Sequence, residues 1–374
     1  MLRRHVPPVF PMTALEDLPT PAVLVDLAVV EGNLARMAEA ARRAGVKLRP
    51  HAKTHKLPEI GRMQLAAGAS GLALAKTSEA EVFAAAGFDD LFLAYPIAGR
   101  GKPERLLALA DRVRLAAGVD SEAGARALGA PFRAAGRTID VLLKVDCGLH
   151  RVGVAPEKAA ETALRIAEAP GVRLRGLFTH AGHAYHQDRP EKVAAVGRAE
   201  GETMVRAAAE VRAAGVPVEE VSVGSTPSAR YAMSVAGVTE CRPGNYVYND
   251  ASQVSLGTCP LEHCALTVLS TVVSVPEASR AVLDAGSKTL SSDPLRPVPG
   301  GYGFLLGRAS RVARLSEEHG VVEVVSGERF FVGERVRVLP NHACVVSNLH
   351  DRVFVVRDGK VEAEWRVAAR GKVE

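Results

Sequence analysis

The stretch DLAVVEGNLARMAEAARRAGVKLRPHAKTHK, residues 26–56, contains one complete phrase of the architecture. Asp26 stands as an N-cap before Val30, Leu34 and Met37 at helical spacing, and Gly45 sits where the helix should end. The apolar run that follows, GVKLRP (45–50), leads into a turn crowded with charge. From Arg49 to Lys56, eight positions carry five basic or imidazole groups (Arg49, His51, Lys53, His55, Lys56) and no acid.

Outward from this stretch the phrase repeats. Apolar runs PAVLVD (21–26), GLALA (71–75), LFLAYP (91–96), VRLAAGV (113–119), IDVLLKV (139–145), VRLRGLF (172–178), EEVSV (219–223) and VTECR (238–242) alternate with Ala/Leu/Glu/Arg-rich helical stretches. This is the pattern of parallel strands covered by helices. With GVKLRP the runs number nine, one more than a closed (β/α)8 barrel needs, and pattern leaves open whether one lies outside the barrel or the sheet is open. From about residue 260 the chain becomes Val-rich with turn signals (LTVLSTVVSV, RAVLDAG, GVVEVVSG, RVRVLP, RVFVVRDGKVEAEW) and reads as a second, mostly antiparallel β domain.

The totals agree with a two-domain α/β protein. The chain has 374 residues, with 47% hydrophobic and 24% charged, and its 34 Gly and 22 Pro imply many tight turns. A net charge of +5 with only 5% aromatics, and no dense Lys/Arg run among them, argues against nucleic acid and for an anionic small ligand. Five cysteines (147, 241, 259, 264, 344) without CxxC spacing imply reduced thiols and a cytoplasmic location. The opening MLRRHVPPVFPM is broken by prolines and does not read as a signal peptide, and no apolar run is long enough to span a membrane.

In parallel α/β architectures ligands collect at the carboxyl ends of the strands. That filter selects His51, Lys53, His55 and Lys56, then Lys76, Tyr95, and Asp146 with His150 and Arg151. It also selects Thr179, His180 and His183, followed by Gly224, Ser225 and Thr226. VGSTPS (223–228) has the makings of a phosphate cradle: a glycine for close approach, two hydroxyls, and Pro227 where a helix would start and present free N–H groups. RPGNYVYND (242–250) follows one strand later and is placed to close the same pocket. A phosphate site and a strand-end lysine, with no Walker or GxGxxG loop, point to pyridoxal phosphate, which needs an amine, an anion site and a flat face for its ring. Positive neighbours would then lower the pKa of that lysine. In LPNHACVVSN (339–348), His342 and Cys344 are two apart on an apparent strand, so their side chains would leave on one face as a Zn²⁺-type pair. A buried cysteine beside a hydrogen-bonded histidine is the other reading.

The segments RPHAKTHK, DCGLHRVGV, THAGHAY, VGSTPS, RPGNYVYND, EEHG and LPNHAC together resemble the metal-dependent fold-type III pyridoxal phosphate enzymes. These are the D-threonine aldolases, eukaryotic-type D-serine dehydratases and D-threo-3-hydroxyaspartate dehydratases, distant relatives of alanine racemase. The resemblance spans residues 17–370. It implies Lys53 as the Schiff-base lysine, Arg151 near the cofactor's phenolic oxygen, His180 against the pyridine ring and Tyr185 near the ring nitrogen. Ser225, Thr226, Gly244 and Asn245 would bind phosphate, and His342 with Cys344 the metal, zinc first and manganese or magnesium as alternatives. The implied architecture is a (β/α)8 barrel over residues 28–250 and a β domain from 1–27 plus 251–374, the first apolar run belonging to the latter. A homodimer with its active site between barrel and β domain is expected.

The same constellation serves retro-aldol cleavage of a D-β-hydroxy-α-amino acid and its dehydration. Cys344 as a zinc ligand fits dehydration, since some D-threonine aldolases carry Asp there and use Mn²⁺. His183 supplies an extra imidazole, and cleavage needs a base near the hydroxyl. On that ground D-threonine aldolase is the expected activity, with His183 as base and dehydration as the alternative. A racemase would need a second base and has no use for the His342/Cys344 pair.

Overall fold

A computed structural model describes residues 13–295 and 300–374; the opening segment, which the signal-peptide reading concerns, lies outside the described residues. The helix of the quoted stretch runs Leu27–Ala44. Asp26 caps it by accepting from the Val29 N–H at 3.1 Å, and Gly45 ends it in the left-handed region at φ +68°.

Eight parallel strands form one sheet: Lys47–Leu48, Leu72–Leu74, Asp90–Pro96, Arg114–Val119, Ile139–Lys144, Val172–Phe178, Glu220–Val223 and Glu240–Cys241. Neighbours follow chain order, and the last strand pairs with the first. A parallel bridge between His51 and Ala73, with Ala73 N–H donating to the Pro50 carbonyl at 2.8 Å, joins the remaining edges and closes the barrel. Arg49 braces that seam. Its buried guanidinium donates to Glu240 at 2.7 Å and to Asp90 at 2.6 Å, tying the first strand to both sides. Removing one partner of such a buried pair costs about 3–5 kcal/mol. Gly71, at φ +150°, lies under this brace, and a Cβ there would sit 2.4 Å from the Arg49 guanidinium.

Side chains alternate along each strand as a barrel demands. Ala73, Phe92, Ala116, Leu142 and Phe178 fill the interior, with Phe92 and Phe178 edge to face at 5.2 Å, while Leu91, Leu93, Leu115 and Leu143 point outward under the helices.

The ninth apolar run is outside the barrel. Ala22–Asp26 pairs antiparallel with Leu266–Glu277 and parallel with Arg352–Arg357, at the centre of a ten-stranded second sheet. In that sheet Arg335–Pro340 returns to pair with Leu266–Glu277, closing a mostly antiparallel barrel that includes Arg280–Leu283, Gly303–Leu305, Arg311–Leu315 and Gly320–Glu323. Among the described residues no helix is long and apolar enough to cross a membrane.

Candidate active site

The basic turn after the first barrel strand has its charges distributed one by one. Arg49 is spent on the seam. His55 is buried and accepts from the Leu57 N–H at 3.0 Å. Lys56, in the left-handed region at φ +57°, forms a buried ion pair with Glu79 at 3.1 Å and donates to the Ala369 carbonyl at 3.2 Å. Ala369 N–H in turn donates to the Lys56 carbonyl at 3.2 Å. His51 and Lys53 are left to line a cavity of about 300 Å³ between the barrel mouth and the β domain. The Lys53 amine is held below the ordinary lysine value chiefly by burial, with Arg151 and Arg242 adding to the effect and Cys344 and Glu79 opposing it. Desolvation thus outweighs the neighbouring positive charge expected from the sequence.

Ser225, Thr226, Gly244, Asn245, Tyr185, His180, His342 and Cys344 line the same cavity. A buried carboxylate that sequence reading missed, Glu200, organises one wall. It accepts from Gly224 N–H at 2.8 Å, from Ala181 N–H at 3.2 Å and from the Ser228 hydroxyl at 2.7 Å, fixing the THAG and VGSTPS loops together. His180 lies against this wall, with Nδ1 3.0 Å from the Gly224 carbonyl. Burial and the amines of Lys53 and Lys144 keep its imidazole neutral.

The helix expected at Pro227 begins at Ala229 and is a single turn, Ala229–Ala232. Ser228 engages Glu200 and Ser225 instead of capping a longer helix, so no sizeable dipole points at the cavity. The donors are local. Among the described residues the N–H groups of Thr226, Gly244 and Asn245 have no protein acceptor, while the Thr226 hydroxyl accepts from Tyr246 N–H at 3.0 Å. Gly244 packs closely, since a Cβ would lie 2.9 Å from the Thr54 hydroxyl and 3.0 Å from the His51 carbonyl. A buried amine of lowered pKa, an imidazole face and a concave set of free N–H groups fit pyridoxal phosphate.

His342 and Cys344 are not on a strand. The strand ends at Pro340, and His342 is the N-cap of the helix Ala343–Leu349. The β-branched ACVV run looks extended in sequence, but the buried Asp250 captures it as a helix start by accepting from Ala343 N–H at 3.0 Å. The same carboxylate oxygen takes His342 Nδ1 at 3.0 Å and the Asn245 amide at 2.6 Å. Holding Nδ1 this way leaves Nε2 for a ligand. Burial alone would raise the Cys344 thiol, yet His342 and the Thr54 hydroxyl at 3.1 Å bring it below the ordinary value, toward thiolate. Imidazole and thiolate suit a borderline cation such as Zn²⁺. Among the described residues no group of three or more His, Cys, Asp or Glu side chains is arranged to hold a metal. This pair would leave positions for water or substrate.

Tyr185 packs edge-on against His342 at 6.2 Å, and burial holds its hydroxyl protonated. His183 is brought elsewhere. Its ring lies against the DCGLH turn, 3.3 Å from where a Cβ of Gly148 would stand, with Nδ1 buried and unpartnered among the described residues. The cavity wall instead carries His186, one turn further along the same 3-10 segment Gly182–His186. Arg151 lines an adjoining compartment of about 340 Å³. Its loop is shaped by Asp146, which accepts from the N–H groups of Gly148, Leu149 and His150 at 2.9–3.1 Å. A larger open groove of about 720 Å³, between the helices Leu27–Ala44 and Pro58–Ala66, is lined by Leu34, Ala38, Met63 and similar groups and gathers no such chemistry.

Comparison with known proteins agrees with the geometry. Residues 25–252 match a family model described as alanine racemase, N-terminal domain, and residues 265–356 one described as putative serine dehydratase domain. The chain is 38% identical to a D-threo-3-hydroxyaspartate dehydratase of Delftia sp. over 355 residues, 89% of this chain and 93% of that one. It is 35% identical to a D-threonine aldolase of Arthrobacter sp. over 370 residues, 98% and 96% of the two chains. Among solved structures, a cysteine-to-alanine variant of D-threo-3-hydroxyaspartate dehydratase in its metal-free form superposes with a TM-score of 0.88 at 35% identity, covering 95% of this chain and 98% of that one.

Proposed function

The chain belongs to the fold-type III pyridoxal phosphate family that includes D-threonine aldolase, D-serine dehydratase and D-threo-3-hydroxyaspartate dehydratase, and on that premise we propose that it is a metal-assisted lyase of D-β-hydroxy-α-amino acids, most simply a D-threonine aldolase. The observation that carries the reading is a single cavity lined by Lys53, by the His342/Cys344 pair and by the segments around Ser225 and Gly244. Pyridoxal phosphate supplies an electron sink next to Cα when bound, and a divalent cation supplies Lewis acidity at the β-oxygen.

The chain's own residues do the rest. Lys53 would carry the cofactor and exchange a proton at Cα. Thr226, Gly244 and Asn245 would offer N–H groups to the phosphate, with the Ser225 hydroxyl on the same wall, His180 would support the ring, and Arg151 would serve its phenolic oxygen. His342, aligned by Asp250, and Cys344 would hold the cation, their donor types suiting zinc. In cleavage, His186 accepts the β-hydroxyl proton, the O–H electrons form the aldehyde carbonyl, the Cα–Cβ bond breaks, and a proton returned to Cα gives glycine. We assign to His186 the base role first expected of His183, because His186 lines the cavity.

Dehydration is the second reading, favoured by Cys344 as a zinc-type donor beside His342 in the cavity. In that case Lys53 would remove the Cα proton, the β-hydroxyl would leave as water with the Cα–H electrons forming the Cα=Cβ bond, and a second water would hydrolyse the released enamine, by way of its imine tautomer, to keto acid and ammonia. We infer a cytoplasmic homodimer as well, the five free thiols supporting the location. Light scattering at twice the 39.5 kDa chain mass is the expected result for assembly. The deciding assay gives cofactor-loaded protein D-threonine, D-serine and D-threo-3-hydroxyaspartate, with and without chelator. Glycine and acetaldehyde from D-threonine, lost on chelation, are the expected products; keto acid and ammonia from the other two substrates would make the chain a dehydratase.

A further inference from the structure

On the flank of the barrel, a cavity of about 400 Å³ opens between the helix Leu27–Ala44, the single turn Ala229–Ala232 and the 3-10 segment Leu261–His263. It shares one lining residue, Thr226, with the cofactor cavity, and none of Lys53, Arg151, His180, His342 or Cys344 lines it. Thr226 and Tyr246 form the partition between the two, with the Thr226 hydroxyl occupied inside the wall by the Tyr246 N–H at 3.0 Å.

The lining is one-sided in charge. Arg36, Arg230 and His263 come from three separate elements, and among the described residues no aspartate or glutamate lines the cavity. Arg36 is aimed by an amide instead of a carboxylate. The buried Asn33 accepts from its guanidinium at 2.6 Å and donates to the His263 carbonyl at 2.9 Å and the Val247 carbonyl at 3.1 Å. One buried side chain thus fixes two of the three groups before any ligand arrives, and because this anchor is neutral the guanidinium keeps its charge for an anion. Arg230 has no carboxylate partner among the described residues. Burial, and after it the Arg36 guanidinium, holds the His263 imidazole below its ordinary value, against Glu262, which does not line the cavity. Met37, Ala40, Pro227 and Pro260 supply an apolar floor beside the Tyr231 ring.

Charge and shape together select the ligand. Guanidinium groups bind phosphate oxygens with paired N–H groups, and two of them converging without a competing acid suit a dianion. A free phosphate ion would leave most of the volume and the whole apolar floor uncovered, whereas a cavity of this size takes an organic molecule. We propose that this cavity is a second, non-catalytic binding site for a phosphate monoester of a small apolar molecule, with Arg36 and Arg230 on the phosphate and the organic part on the floor. The site stands apart from the lyase reading and does not depend on which reaction the chain catalyses.

The test uses holoenzyme, whose own phosphate cradle is filled by cofactor, with phenyl phosphate as the probe. Calorimetry is expected to show saturable binding, and the probe is expected to slow alkylation of Cys259, which lines the cavity, as located by peptide mass mapping. Arg36→Gln and Arg230→Gln should each weaken binding and protection roughly tenfold or more. Arg133→Gln, which removes the same charge from an exposed position of the helix Glu122–Ala134, should leave both unchanged. Both cavity arginines are exposed, so their variants are expected to keep the wild-type fold and cofactor absorbance. Absence of Cys259 protection, an equal loss in Arg133→Gln, or equal protection by chloride at matched ionic strength would reduce the basic lining to unspecific surface charge and overturn the site. Inorganic phosphate binding as tightly as phenyl phosphate would overturn the assignment of an organic ligand.

Discussion

Single side chains decide most of the chemistry here. The quoted basic turn looked like one functional cluster, yet only His51 and Lys53 reach the cavity; Arg49 and Lys56 are structural cations, each buried against carboxylates. Lysine at a strand end is thus legible in sequence, but which lysine depends on partners far along the chain. His183 and His186 illustrate the same limit, for three residues in a 3-10 segment separate a ring packed on Gly148 from one on the cavity wall. His186→Asn is accordingly expected to lower D-threonine cleavage by about 10²-fold or more and dehydration far less, with His183→Asn the milder of the two. Equal losses in both reactions, followed by product analysis, would remove His186 as the base. Lys144 carries a pH signature. Burial lowers its pKa from 10.5 to about 7, so the unfolded chain binds more protons between those values and this lysine opposes folding most strongly below pH 7. Lys144→Met should therefore raise the Tm of the cofactor-free protein at pH 6, by on the order of a few kcal/mol of stability, with the gain shrinking toward pH 10.

At the level of elements, the strand–helix alternation could be read because burial on both faces forces continuous apolar runs, and turns need glycine. The helix Leu27–Ala44 was visible with both caps, since its signals are local. The start of Ala343–Leu349 was not, because what makes it a helix is Asp250, 93 positions away from the Ala343 N–H that it accepts. Glu200 was equally silent: it lies within the long helix Pro190–Ala213, where one more glutamate carries no mark, yet it links two loops of the cavity. Asp250→Asn tests the first of these roles. Losing the carboxylate frees the His342 ring and weakens the helix start, so affinity for Zn²⁺ is expected to fall about 10- to 100-fold by competition with a chelating dye.

Across the whole molecule the two barrels meet over the cofactor cavity, with Lys53 from one and His342 and Cys344 from the other. Contacts of this kind bring together residues nearly 300 positions apart, such as Thr54 and Cys344 at 3.1 Å, and no local pattern encodes them. The reciprocal bonds between Lys56 and Ala369 are longer still, 313 positions in sequence. In amide hydrogen exchange such a pair behaves as one cooperative unit. Peptides covering 52–57 and 367–372 should then take up deuterium together. Cofactor attached at Lys53 should slow both, although it touches only the first, and Lys56→Met should uncouple their rates. The segment around Ala369 would then serve as a remote reporter of whether the lysine loop is occupied.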